Sequence, residues 1–142
     1  MIAGSTAKLY TAEVLALAMR LAENPLDPAL PLTGEARSRS CGSTLSMRLA
    51  VDREHRIETI GIQAAACAIG QASAAIFAGQ AIGRDASSIS ATLVALECWL
   101  TGESGLPDWP ELSLIAPARD HPARHGAILL PWKAALEALS KA

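Results

Sequence analysis

The stretch RSRSCGSTLSMRLAVDREHRIETIGIQA, residues 37–64, decides the fold because it reads as two alternating runs joined by a polar loop. In Thr44–Val51 every second side chain is apolar, which is the period of a strand with one buried face. Residues 52–56 are polar, and residues 57–64 are rich in β-branched side chains. The pattern predicts a β-hairpin, with residues 37–40 as a third strand at its edge.

Helices are predicted on both sides of this hairpin. Residues 9–22 carry apolar side chains at helical spacing, and the prolines that follow end the run. After Ala64 the chain turns into an uncharged segment of Ala, Gly and Ser, which favours a helix packed closely against its neighbours. Asp85 is a suitable N-cap for a helix through Leu100. A short helical piece is predicted at residues 111–115, and a last helix from Ala127 onward that contains Pro131.

This order of elements, strands followed by helices, predicts an α+β fold: a small three-stranded antiparallel sheet with helices packed on one face. The length of 142 residues matches a single domain, residues 1–142. The sequence shows no repeat and no second compositional region.

Composition and charge exclude several classes of function. The formal net charge is −2 and the basic residues are scattered, so we expect no nucleic-acid partner. The first twenty residues include Glu13 and Arg20 and are typical neither of a signal peptide nor of a membrane span. We therefore expect a cytoplasmic protein with no membrane partner, whose three cysteines are thiols.

The three cysteines differ in their setting. Cys41 falls at the turn between two strands, and a turn seldom recruits cysteine for its conformation, so we favour a functional role. Cys67 falls where the last strand ends and the small-residue helix begins, where helix N–H groups favour a thiolate. A buried packing role fits Cys67 equally well. Cys98 lies within a helix beside its apolar face and is predicted to belong to the core.

The histidines and tryptophans offer weaker evidence. His121 and His125 lie in a loop just before the last helix, where histidines are more often solvated than ligating. His55 is predicted to be solvated in the hairpin loop. The three tryptophans are interpreted as packing residues, Trp99, Trp109 and Trp132. No phosphate-binding loop, nucleophile elbow or Cys-x-x-Cys zinc pattern is present, so the sequence gives most enzyme classes no support.

Taken in order, four stretches resemble the IscU/NifU-like iron–sulfur cluster assembly scaffolds, and most closely their SufU-type branch. The four stretches are LYTAEVLALAMRLAENP (9–25), SCGSTLSMRLAVD (40–52), ACAIGQASAA (66–75) and HPARHGAILLPWKAALEAL (121–139). The resemblance implies an α+β domain that presents three cysteines and an aspartate around one exposed site. That site would bind zinc or hold a transient iron–sulfur cluster, both of which suit thiolate ligands.

The resemblance assigns the ligand positions one by one. Cys41 and Cys67 match the first two cysteines of the family. The aspartate falls on Ser43 and the third cysteine on Gly126, so both of those ligands are missing. His125 falls where some members have a histidine, which implies a three-ligand metal site of Cys41, Cys67 and His125. Structural zinc normally has four protein ligands, so the resemblance implies weak metal binding or none.

The resemblance also implies a function and a geometry. The chain would be a scaffold, or a sulfur acceptor at Cys41, that receives sulfur from a cysteine desulfurase and serves iron–sulfur recipient proteins. It would not be an enzyme. We expect the turn at Cys41, the helix start at Cys67 and the loop at His125 to converge at one end of the sheet, with a gap beside Gly126.

Two alternatives remain open. The chain is a degenerate homologue that acts through protein contacts alone, an interpretation motivated by the losses at Ser43 and Gly126. Less favoured is a thiol enzyme in which His125 or His121 serves as base for Cys41.

Overall fold

The computed structural model describes residues 9–142. Four α-helices and three strands are present in this part of the chain, with short 3₁₀ segments between them. In order they are α1 (Ala12–Arg20), β1 (Leu32–Arg37), β2 (Thr44–Val51), β3 (Ile57–Ala65), α2 (Ala68–Ala81), α3 (Ala86–Leu100) and α4 (His125–Leu139). The 3₁₀ segments are Leu21–Glu23, Leu112–Asp120 and Pro122–Arg124.

The three strands form one antiparallel sheet in the order β1-β2-β3. The predicted strand Thr44–Val51 is confirmed, and its alternating side chains Leu45, Met47 and Leu49 are buried. Helix α4 packs on β1 and β2 and helix α2 packs on β3, so the predicted α+β class is confirmed. No helix within residues 9–142 is both long and apolar enough to cross a membrane.

The edge strand lies earlier than predicted. It spans Leu32–Arg37, whereas residues 38–40 belong to the turn. The prediction was wrong because Gly34 interrupts the apolar alternation of this strand. A side chain at position 34 would clash with the Ala134 carbonyl and lie 2.9 Å from the Ala138 backbone nitrogen, so β1 and α4 approach backbone to backbone.

The helix boundaries agree with the sequence where a cap defines them. The Ser88 backbone N–H donates to Asp85 Oδ1 over 2.9 Å, which confirms the predicted start of α3. Gly102, with a φ of +83°, follows its end. Helix α4 begins two residues before the predicted Ala127, and the helical piece after Glu111 extends to Asp120 as a 3₁₀ segment.

The core centres on α2, most of which is buried, including every residue from Ala72 to Ala78. Phe77 of α2 meets Trp109 at 5.5 Å and Trp132 at 5.2 Å between ring centroids. The Trp109 indole N–H donates to the Ile76 carbonyl over 3.0 Å, and the Arg84 guanidinium lies 3.9 Å from the Trp109 ring. Trp99, Trp109 and Trp132 are buried packing residues, as predicted.

Both outer strands of the sheet have backbone N–H or carbonyl groups that are hydrogen-bonded to residues outside the sheet. On β1, Lys141 Nζ donates to the Thr33 carbonyl over 2.7 Å, and the Glu35 N–H donates to Glu137 Oε1 over 3.3 Å. On β3, the Ile62 N–H donates to the Asn24 carbonyl over 2.8 Å.

Candidate functional site

Cys41 lies at the tip of the loop between β1 and β2 and is exposed to solvent. Two backbone hydrogen bonds close this loop: the Ser38 N–H donates to the Ser43 carbonyl over 2.8 Å, and the Gly42 N–H donates to the Ser38 carbonyl over 2.9 Å. Gly42 has a φ of +72°, a conformation in which glycine avoids the strain of a side chain. The loop therefore holds the thiol in a defined place, open to a partner.

Serine hydroxyls surround the Cys41 sulfur. The thiol donates to Ser38 Oγ over 3.4 Å and shares a hydrogen bond with Ser43 Oγ at 3.0 Å. Ser40 Oγ lies 3.1 Å from Ser38 Oγ and extends the cluster. Because hydroxyl protons rotate freely, Ser38 and Ser43 can turn and donate to the sulfur once it loses its proton.

These contacts lower the pKa of the Cys41 thiol from its ordinary value. The hydrogen bond between Cys41 and Ser38 is the largest cause, followed by the one between Cys41 and Ser43, and the positive charge of Arg124 acts in the same direction. A thiol that ionises more readily is a better nucleophile and a better metal ligand near neutral pH.

Arg124 interacts electrostatically with both Cys41 and Cys67. Its guanidinium Nη2 donates to the Tyr10 hydroxyl over 3.1 Å, and this bond is the main reason that the pKa of Arg124 is raised. The thiols of Cys67 and Cys41 raise it further. The buried Arg124 Nε has no hydrogen-bond partner in residues 9–142.

Cys67 is the N-cap residue of α2 and is half-buried, at the helix start where the sequence places it. Thr44 pairs with Ala65 across β2 and β3. Cys41 therefore precedes β2, and Cys67 follows β3, at the same end of the sheet. The start of α4 lies there as well, because a side chain at Gly70 would lie 3.3 Å from Ala127 Cβ.

His125 is the first residue of α4, and its ring is hydrogen-bonded. Its Nε2 lies 2.6 Å from the Arg119 carbonyl oxygen. A carbonyl can only accept, so Nε2 carries the proton and only Nδ1 is left to bind a metal or accept a proton.

The prediction of a gap beside Gly126 is wrong. A side chain at this position would clash with Ser38 Oγ and lie 3.1 Å from Ser38 Cβ and 3.3 Å from Ser40 Oγ. The serine-rich loop therefore fills the space that the missing ligand would need.

The donor set does not fit a resident metal ion as it is arranged here. Within residues 9–142, no group of three or more His, Cys, Asp or Glu side chains is placed to hold a metal ion. The ligand set of Cys41, Cys67 and His125 stays a prediction.

The remaining candidates lie apart from this cluster. His55 is exposed in the loop between β2 and β3, as predicted, with a φ of +62°. Cys98 is half-buried in α3. His121 ends the Leu112–Asp120 segment, and its backbone carbonyl accepts from the Arg124 N–H over 2.8 Å.

Sequence reasoning missed Ser38, Arg124 and Tyr10. The spacing Ser-x-x-Cys at residues 38–41 was a local signal for Ser38, since a tight loop brings such residues together. Arg124 and Tyr10 carry no such signal, because they are 114 residues apart and meet only in the folded chain.

Comparison with known proteins identifies the fold. No family model matches the chain, and no curated protein matches it. Among solved structures, it is similar to the N-terminal part of a nitrogen-fixing NifU-like protein from Brucella abortus, with a TM-score of 0.86 and 24% identity over 96% of each chain.

A second similar structure is a protein from the thermophile Fervidobacterium islandicum AW-1, proposed to be the iron–sulfur cluster assembly scaffold of the SUF system. Its TM-score is 0.79 at 20% identity, over 92% of this chain and 96% of the other. The chain therefore has the fold of the NifU-like N-terminal domain and of SufU, which confirms the fold that the resemblance implies.

Proposed function

We propose that this chain takes part in iron–sulfur cluster assembly as a sulfur acceptor, with Cys41 as the accepting thiol. The observation that carries the proposal is the exposed Cys41 sulfur, whose pKa is lowered by two serine hydroxyls and Arg124, on the fold of NifU-like and SufU scaffolds. The protein is a carrier rather than an enzyme.

The sulfur donor is a cysteine desulfurase that presents a persulfide. The Cys41 thiolate attacks the terminal sulfur of that persulfide, a new S–S bond forms on Cys41, and the donor S–S bond breaks. The donor cysteine leaves as a thiolate, and its sulfur atom takes up a proton from water. Sulfur is transferred without net oxidation or reduction.

Cys67 is the second thiol at this end of the sheet, and a scaffold role would use it together with Cys41. In that role iron and sulfide are cargo, assembled on the two thiols and passed to a recipient protein. Thiolates suit this cargo because they are the usual ligands of iron–sulfur clusters.

The test is sulfur uptake in the absence of oxygen. The chain is incubated with a cysteine desulfurase and L-cysteine, and its mass is measured. We expect a gain of one sulfur atom, located on Cys41 by peptide mapping and absent from Cys41→Ser. Cys98→Ser is the matched control, because Cys98 lies in α3 away from the loop, and it should take up sulfur as the parent does.

Reconstitution with iron and sulfide separates the acceptor from the scaffold. Cluster absorbance that disappears in both Cys41→Ser and Cys67→Ser supports a scaffold, whereas sulfur uptake without cluster supports an acceptor alone. If the folded parent shows neither, the proposal is wrong and the role through protein contacts alone is favoured. Within the described residues, the lack of a three-ligand group is the observation behind that second candidate.

A further inference from the structure

Ser38 is a polar residue enclosed at the base of the Cys41 loop. It is only 4% exposed. Its hydroxyl lies between the sulfur of Cys41, at 3.4 Å, and the hydroxyl of Ser40, at 3.1 Å. A buried hydroxyl in contact with the thiol affects whatever that thiol binds.

The same hydroxyl faces Gly126 at the start of α4. A side chain at position 126 would point directly at Ser38. Its Cβ would clash with Ser38 Oγ and lie 3.1 Å from Ser38 Cβ. Ser38 therefore stands between Cys41 and the residue of α4 that faces it.

Neither side of this contact can easily move away. The Ser38 N–H and carbonyl are both held by hydrogen bonds within the loop, to Ser43 and Gly42. Helix α4 is held against the sheet by its close approach to Gly34, and against α2 by the buried bond from Ser73 Oγ to the Ile128 carbonyl, 2.7 Å long. The Ser38 hydroxyl can rotate, but Ser38 Cβ, 3.1 Å from the added Cβ, is fixed by the loop backbone, so a side chain at position 126 requires the loop or α4 to shift.

We propose that Ser38 is the specificity-determining residue of this site, because its side chain fills the space that a metal-ligating side chain at position 126 would need and so denies Cys41 a second ligand from that position. This inference rests on the proposed function and deepens it, because it assigns sulfur rather than a metal ion as what Cys41 takes. The hydroxyl itself is a neutral group, a poor substitute for the thiolate, imidazole and carboxylate ligands that zinc prefers.

The test compares zinc affinity in four proteins: the parent, Gly126→Cys, Ser38→Gly/Gly126→Cys and the matched control Ser40→Gly/Gly126→Cys. Zinc alone is added without oxygen and competed against a chromophoric chelator. We expect the Ser38→Gly pair to bind zinc at least about tenfold more tightly than Gly126→Cys, a change as large as outer-shell groups cause. Ser40→Gly should give no such gain, because Ser40 only borders position 126.

Two results would overturn the inference. One is that Gly126→Cys alone binds zinc as tightly as the pair with Ser38→Gly. The other is that the folded pair with Ser38→Gly gains no affinity.

A second measurement covers the case in which Gly126→Cys does not fold. The free energy of unfolding is measured for Gly126→Ala in the parent and in the Ser38→Gly background, as a double-mutant cycle. We expect Gly126→Ala to destabilise the parent and to be tolerated with Ser38→Gly. Equal effects in both backgrounds would mean that Ser38 does not fill this space, which overturns the inference.

These measurements are independent of sulfur transfer. If the parent takes up no sulfur from a desulfurase, the proposed function fails even when the zinc series behaves as expected. If the parent takes up sulfur and the four proteins bind zinc equally tightly, only the proposed role of Ser38 fails.

Discussion

At the scale of single residues, the reactivity of Cys41 depends on Ser38 and Ser43 more than on Arg124. The hydrogen bonds with the two hydroxyls are the largest causes of the lowered pKa, and the charge of Arg124 contributes less. A lowered pKa means that the thiolate is present from a lower pH than for an ordinary thiol and is lost as the pH falls through the folded-state value.

The first prediction is that Ser38→Ala and Ser43→Ala each raise the pKa of Cys41. Alkylation of Cys41 by iodoacetamide should slow severalfold at neutral pH, and its pH profile should shift to higher pH, because only the thiolate reacts. Peptide mass spectrometry distinguishes Cys41 from the other two cysteines. Ser40→Ala is the control, since Ser40 Oγ bonds Ser38 rather than the sulfur. Superimposable profiles in all three variants would contradict the prediction.

The sequence predicted the position of Cys41 but not its surroundings. A cysteine and a glycine between two alternating runs are a local pattern, and the turn is local too. The contact of Ser38 with position 126 depends on the start of α4, more than 80 residues further along the chain, and the bond from Ser40 to the Ala123 carbonyl joins the same loop to the segment just before α4. No spacing within the loop reveals that approach.

At the scale of secondary-structure elements, the contact between β1 and α4 depends on Gly34. Its missing side chain lets the strand lie against the backbone of α4 at Ala134 and Ala138. The contact sets the distance of α4 from the sheet and so sets where Gly126 and His125 lie.

The second prediction is that Gly34→Ala destabilises the fold strongly. The added methyl would meet backbone atoms that cannot rotate away, and overpacking of this kind costs about 1–3 kcal/mol or more. Urea unfolding followed by far-UV circular dichroism measures the change. Gly105→Ala is the matched control because open space surrounds that position. A loss no larger in Gly34→Ala than in Gly105→Ala would show that β1 and α4 do not pack this closely.

The third prediction concerns the segment that joins α3 to α4. Trp109 holds this segment against α2, because its indole N–H donates to the Ile76 carbonyl and the Arg84 guanidinium packs over its ring. Trp109→Phe keeps an aromatic ring but loses the N–H donor, so we expect a loss of about 1–2 kcal/mol in the free energy of unfolding. Urea titration of Trp109→Phe beside Trp99→Phe measures it. If both variants lose the same stability, the bond to Ile76 contributes nothing specific.

Elements with a local signal were predicted well, and those without one were not. Strand β2 alternates cleanly and α3 has an aspartate cap, so both were located from sequence. Strand β1 was misplaced by several residues because its central glycine has no side chain and its reason for being glycine lies in α4. A close approach between distant backbones leaves no periodicity in the sequence.

At the scale of the whole molecule, one apolar core joins the sheet to the helices. The core is continuous from the sheet through α2 to α4, and no ligand group in residues 9–142 ties elements together. A structural zinc site would contribute binding free energy to folding, because an ion that binds only the native state stabilises it.

The fourth prediction is that removing metals leaves the stability unchanged. Melting temperatures measured with and without EDTA, and with added zinc, should agree within error. Purified samples from the same preparation, kept without oxygen, serve for all three measurements. A clear drop on adding EDTA would show that this chain binds a metal ion in its native state, and would favour the ligand set of Cys41, Cys67 and His125.

The class of fold and the end of the sheet that carries the site were both predictable from the order of elements. An antiparallel hairpin necessarily brings the residues before β2 and after β3 to one end, and the Thr44–Ala65 pair does so for Cys41 and Cys67. What the order of elements cannot give is the distance between loops, which depends on side-chain packing throughout the core.

The hydrogen bonds that Lys141 and Glu137 form with β1 have a consequence for how the protein behaves in concentrated solution. An outer strand with free N–H and carbonyl groups is a template for strand addition by another chain, the first step of aggregation. Here the Lys141 ammonium is hydrogen-bonded to the Thr33 carbonyl of β1, and the Glu137 carboxylate to the Glu35 N–H. On β3, the Asn24 carbonyl accepts from a backbone N–H of the strand. Intermolecular strand pairing at these positions must first displace contacts already made within the chain.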